Sequence, residues 1–95
     1  MFRDEYHPQV KNDLKKVDKS VLAEVKEVHI PRILIDPYSG ENLTGNLSGI
    51  YSYHFKKNKI QYRISYIIEG NSRIVYILMI GKRESFYRVL KRRLN

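Results

Sequence analysis

Ile50-Tyr51-Ser52-Tyr53-His54-Phe55-Lys56, then Lys57-Asn58-Lys59, then Ile60-Gln61-Tyr62-Arg63-Ile64-Ser65-Tyr66-Ile67-Ile68 is the stretch that decides the fold. The first run alternates, with Tyr51, Tyr53 and Phe55 on one side and Ser52, His54 and Lys56 on the other. The second run repeats the pattern, with Ile60, Tyr62, Ile64, Tyr66 and Ile68 on one side and Gln61, Arg63 and Ser65 opposite. A period of two marks strands with one buried and one polar face. The short polar break between the runs predicts an antiparallel hairpin. Pairing them sets Ser52, His54 and Lys56 beside Gln61, Arg63 and Ser65 on one exposed surface.

The flanking sequence extends this hairpin into a domain. Glu69-Gly70-Asn71-Ser72 is dense in turn residues, and Arg73 to Ile80 is apolar on both faces, as a central strand is. Gly81 ends that strand, and Glu84 to Leu94 predicts a helix with Phe86, Val89, Leu90 and Leu94 inward. Upstream, Asp36 to Gly49 has the texture of a loop. Before it, Val10, Leu14 and Val17 form one helical stripe, and Val21, Leu22, Val25 and Val28 form a second. Asp18 is placed to cap the second helix. Pro31 is expected to end or kink it, with Ile33, Leu34 and Ile35 prolonging it by a turn. Phe2 to Tyr6 reads as an opening strand broken by His7-Pro8. The expectation is one α+β domain over 1–95, in the order β-α-α-β-β-β-α. Its small antiparallel sheet carries the helices in one layer, a helical hairpin on one face and a basic concave face opposite.

Charge separates the two halves of the 95 residues. Residues 1–49 hold seven cations and eight anions, whereas residues 50–95 hold eleven cations with only Glu69 and Glu84 against them. The whole formal excess of +8 therefore lies in the second half, which suits a polyanion met by one region. A membrane surface, an acidic protein or a need for solubility answers to the same excess. There is no cysteine, so disulfides and thiolate metal sites are excluded. The N-terminus has no apolar secretory core, and the longest nearly unbroken apolar run, Ile74 to Ile80, is too short to span a bilayer. A cytoplasmic protein without membrane attachment is the expectation.

Neither a dinucleotide fingerprint nor a P-loop is present, so no small-molecule cofactor is expected. His7, His29 and His54 lack metal-ligand spacing. His29, near a helix end, reads as a surface or capping histidine. What remains is His54, Lys56, Arg63, Lys82, Arg83 and Tyr87. This set suits cleavage of RNA by its own 2′-hydroxyl, which needs a base, a proton for the leaving 5′-oxygen and cations on the phosphorus charge. Arginine offers a fixed fork for phosphate, histidine titrates near neutral pH, and a tyrosine ring can hold an unstacked base. Phosphate binding without chemistry remains open on the same residues.

Four pieces then bear a resemblance. Leu47-Ser48-Gly49 precedes a strand, Tyr62-Arg63-Ile64-Ser65-Tyr66 lies on the next, Gly81-Lys82-Arg83 follows the last, and Tyr87 comes shortly after. Together with the opening Tyr6-His7-Pro8-Gln9-Val10-Lys11-Asn12-Asp13-Leu14, this ordered set resembles the RelE/ParE toxins of type II toxin-antitoxin systems. The resemblance implies a RelE-like, ribosome-dependent endoribonuclease that cuts mRNA in the A site and is silenced by a cognate antitoxin covering the basic face or displacing the last helix. It implies that Arg63 supports the phosphate, Arg83 the transition state and leaving group, and Tyr87 the mRNA. Where such toxins carry two lysines on the second strand, this chain has Ser52 and His54; His54 is then the candidate base. The expected catalytic set is His54, Arg63, Arg83 and Tyr87, and the RNA-binding set Ser52, Lys56, Lys57, Lys59, Lys82 and Arg88. The alternative within the same fold is a ParE-like inhibitor of DNA gyrase, a binding protein without nuclease chemistry.

Overall fold

The computed structural model describes residues 1–95. Strand β1 (Arg3–Tyr6) leads into α1 (Val10–Lys15), α2 (Lys19–Glu24) and α3 (Ile30–Ile35), the last two joined by a π-helical stretch, Val25–His29. A two-residue strand β2 (Glu41–Asn42) follows, and then β3 (Tyr51–Lys57), β4 (Ile60–Glu69), β5 (Ile74–Lys82) and α4 (Phe86–Leu94). The sheet order is β1-β5-β4-β3-β2. The expected hairpin is there, and its turn is tight: Asn58 and Lys59 both take positive φ, 53° and 67°, the geometry that matches the twist of paired strands.

Two features depart from the sequence-based expectation. The sheet is mixed, because β1 pairs parallel with β5 while the other pairs are antiparallel. β5 is apolar on both faces because the helical hairpin covers one and α4 the other; β4 and β1 flank it within the sheet. The helices also do not share a layer. The hairpin buries Val10, Val21, Val25, Ile30 and Ile33 against Phe55, Tyr62, Ile64, Tyr66, Val75 and Ile77. Helix α4 packs Phe86 and Leu90 against Ile50, Leu78 and Met79 in a separate core, on the polar side of the β3–β4 hairpin. Past Pro31 the helix runs on through Ile33, Leu34 and Ile35, as expected. The π-helical stretch just before the proline widens the turn where the ring would meet the preceding carbonyls, so the helix continues to Ile35.

A β-bulge prepares β5 for α4. Ser65 stands opposite Met79 but Tyr66 stands opposite Ile77, which leaves Leu78 as an extra residue. Leu78 and Met79 both therefore reach the α4 core. β1 stops at Tyr6, so the edge of β5 beyond it has backbone groups to satisfy. Asp13 and Arg93 do so. Ile80 N–H donates to Asp13 Oδ2 at 3.0 Å, and Arg93 Nη1 donates to Leu78 O at 2.9 Å. The two side chains join in a forked pair at 2.7 and 2.8 Å, 7% and 8% exposed. One ion pair thus ties α1, the bulge of β5 and the end of α4 together.

His29 is buried, not a surface or capping group. It stacks on Phe55 with ring centroids 3.9 Å apart and contacts Tyr53 Oη and Glu24 Oε2 at 2.7 Å each. Glu24 also meets Lys57 Nζ at 3.2 Å, and those two hydrogen-bonded partners hold its carboxyl below its ordinary range.

Removing one member of the buried pair leaves the other charge without a partner. Asp13→Ala is therefore expected to lower stability by about 3–5 kcal/mol in urea unfolding. Lys11→Ala, on an exposed part of the same helix, should change it by less than about 0.5 kcal/mol.

Candidate functional site

The register of β3 with β4 sets His54 directly opposite Arg63, Ser52 opposite Ser65 and Lys56 opposite Gln61. On β5, Gly81 stands opposite Arg63. Arg83 continues the ladder by donating its N–H to Gln61 O at 2.9 Å; the pleat directs its side chain to the Gln61 and Arg63 side. Ser85, at φ 60°, then turns the chain back so that α4 crosses this face. From its first turn Tyr87 reaches down to donate to Ser52 Oγ at 3.2 Å, and the Arg63 guanidinium lies 4.7 Å from the centre of the Tyr87 ring. Ser52 Oγ is also 3.0 Å from His54 Nε2. Four groups from three elements meet in a contiguous network.

A fifth group comes from a segment read as loop. Strand β2 pairs Glu41 with Ser52, and Glu41 Oε1 lies 3.3 Å from His54 Nε2. The core holds this segment in place. Tyr66 Oη donates to Pro37 O at 2.7 Å, and burial pushes the Tyr66 phenol up to about 12. The hydroxyl lies so close to Gly40 that a Cβ there would overlap it, so glycine alone lets β2 approach. His54 sits between opposing influences. Burial is the largest and, with the charge of Arg63, lowers its pKa below 6.5; Glu41 acts against both. The net effect keeps the ring neutral, with a lone pair available, at neutral pH.

Of the residues singled out in the sequence, His54, Arg63 and Tyr87 come together, with Arg83, Lys56 and Lys59 exposed around them. Ser52 is 2% exposed, beyond direct reach of a ligand, and contacts Tyr87 and His54. Lys57 is set apart on the helical side, where it pairs with Glu24. Lys82, opposite Tyr62, also turns to that side and lines a cleft of about 320 Å³ with Lys16 and Asp13. Arg88 projects from the outer side of α4 and donates to Ser85 Oγ at 2.9 Å. Sequence reasoning missed Glu41, and no cluster of three His, Cys, Asp or Glu side chains is present to hold a metal. None of the clefts in the molecule includes His54, Arg63 or Tyr87, so the network lies on an open face. An open cationic face with a neutral histidine, a carboxylate and a tyrosine can bind a phosphodiester and move a proton beside it.

Residues 5–91 match the family described as ParE-like toxin of type II bacterial toxin-antitoxin system. The chain belongs to that family. Among solved structures it is similar to the RelBE2 toxin-antitoxin complex of Mycobacterium tuberculosis, with 25% identity, a TM-score of 0.74, and 86% of this chain and 98% of that one covered. It is also similar to a mutant of the Escherichia coli toxin RelE in the free state, with 17% identity, a TM-score of 0.73 and 96% of each chain covered. The toxin in the intact Escherichia coli RelBE complex shares the fold as well, at 18% identity and a TM-score of 0.70 over 88% of this chain and 99% of that one. No curated protein matches the sequence.

The two charges around His54 make a directional prediction. Histidine-resolved NMR titration should give a midpoint below 6.5 in the native chain. Arg63→Gln removes a lowering influence and moves that midpoint up; Glu41→Gln removes the raising one and moves it further down. A midpoint indifferent to both changes would mean that the network does not exist in solution.

Proposed function

We propose that this toxin is a ribosome-dependent endoribonuclease that cuts mRNA in the cytoplasm and is kept silent by a cognate antitoxin protein. The observation that carries the reading is the meeting of His54, Glu41, Arg63 and Tyr87 on one open cationic face, with Arg83 beside them. In the reaction, the 2′-oxygen attacks the adjacent phosphorus, the bond from phosphorus to the 5′-oxygen breaks, the departing oxygen takes a proton from water at this open face, and a 2′,3′-cyclic phosphate and a 5′-hydroxyl result. His54 Nδ1, unprotonated in the neutral ring, accepts the 2′-proton, and Glu41, beside Nε2, steadies the imidazolium that forms. Arg63 grips the non-bridging oxygens with its planar fork. Arg83 meets the charge growing on phosphate and leaving oxygen. Tyr87, backed by Arg63, holds an unstacked base, while Lys56, Lys59 and Arg88 hold flanking phosphates.

The openness of the face supports the requirement for a ribosome. An unenclosed site does little to order a flexible RNA strand, so the near-attack geometry has to be imposed by whatever already holds the strand. The antitoxin reading rests on family membership and on the neighbouring RelBE structures, which are complexes of toxin with antitoxin. A basic face of this kind suits an acidic covering segment.

Primer extension on mRNA in translating ribosomes tests the reading. The native protein should give discrete cuts at A-site codons, and Arg83→Ala should reduce them by about 10²–10³-fold. Growth arrest without any cuts contradicts it; inhibition of gyrase supercoiling would then favour the ParE-like alternative.

A further inference from the structure

Ser52 is the one member of the network that no substrate can touch, yet it contacts two members that a substrate can. Its hydroxyl has one proton to donate and two lone pairs to accept with. Tyr87 Oη donates to it at 3.2 Å, and His54 Nε2 lies 3.0 Å away. With the residue 2% exposed, water is not available as a substitute partner. Tyr87 therefore occupies one lone pair and leaves the other to accept from Nε2–H, a proton that Glu41 Oε1, 3.3 Å from the same nitrogen, also favours. The neutral ring then carries its own proton on Nε2 and presents its lone pair at Nδ1. Once Nδ1 is protonated as well, Ser52 still accepts from Nε2 and Glu41 meets the charge.

We propose that Ser52 is a positioning residue whose buried hydroxyl couples Tyr87 of α4 to His54 of β3, fixing the orientation and tautomer of the histidine with Nδ1 as the proton-accepting atom. Its effect on RNA cleavage rests on the nuclease reading above, but the bridge itself does not. Docking of α4 thereby does more than bury Phe86 and Leu90: through Tyr87 and Ser52 it prepares the histidine. A lysine, or any longer side chain, at position 52 could not occupy this space beneath α4 without displacing the helix.

The test is ¹⁵N NMR of the histidines in the full chain, with mRNA cutting on translating ribosomes measured alongside. Native protein should show His54 protonated at Nε2. In Ser52→Ala the Nδ1–H tautomer grows and the titration midpoint falls. Tyr87→Phe, which keeps the ring, moves the midpoint in the same direction by less. The double variant should match Ser52→Ala alone, because Tyr87 acts only through the lost hydroxyl. Ser52→Thr, which keeps the hydroxyl, restores native behaviour. For cutting, Ser52→Ala is expected to lower kcat by about tenfold with KM unchanged, and Ser52→Thr to recover it. His54 signals that stay native in both Ser52→Ala and Tyr87→Phe overturn the proposal. Signals that move as described, in a protein that cuts no mRNA, uphold the bridge and remove the nuclease reading instead.

Discussion

The pairing of β3 with β4 is the constraint from which the rest follows. Tyr53, Phe55, Tyr62 and Ile64 can be buried together only in the register that sets His54 opposite Arg63. A slip of one residue would turn those aromatic and aliphatic side chains to solvent and drive the histidine and arginine into the core. Core formation and site formation are thus one event. Stacking of Phe55 on Tyr62, with ring centroids 5.2 Å apart, and of Tyr51 on Tyr66, at 5.8 Å, reinforces the same register from the helical side.

The second requirement is that α4 lie across the polar face. Its apolar residues need a surface, and the bulge at Leu78 makes one by turning two consecutive side chains of β5 the same way. The bulge leaves backbone groups at the edge, and the Asp13–Arg93 pair satisfies them from two different helices. A feature that looks like a defect in the ladder is therefore where the helical hairpin, the sheet and the last helix are locked to one another. Tyr87 reaches Ser52, and Arg63 finds an aromatic ring, because of that lock.

Much of this was legible in the alternation of residues 50–68, which separates core from face, and in the concentration of charge after residue 50. What escaped has physical reasons. Glu41 lies among turn-forming residues on a two-residue strand whose approach depends on the fit of Gly40 against the Tyr66 hydroxyl, a contact between residues far apart in the chain. Ser52 follows the polar phase of its strand and reads as exposed; only the helix above it makes it buried. Lys57 shares the phase of Tyr53 and Phe55, so its alternation already pointed to the helical side. Lys82 lies beyond the bulge, where simple counting from the start of β5 loses phase. His29 sits near a proline that ordinarily signals a helix end, and the π-helical stretch that carries the helix onward leaves no clear periodic signature.

The chemistry of the cut ends tests the central claim most directly. A ribosome-bound mRNA treated with the purified toxin should yield a 2′,3′-cyclic phosphate, or the 3′-phosphate from its opening, on the upstream fragment and a 5′-hydroxyl on the downstream one. The same mRNA with a single 2′-deoxynucleotide at the scissile position should stay intact. A 5′-phosphate at the cut, or cleavage of the deoxy-substituted strand, would show that no 2′-oxygen attacks and would contradict this account of the site.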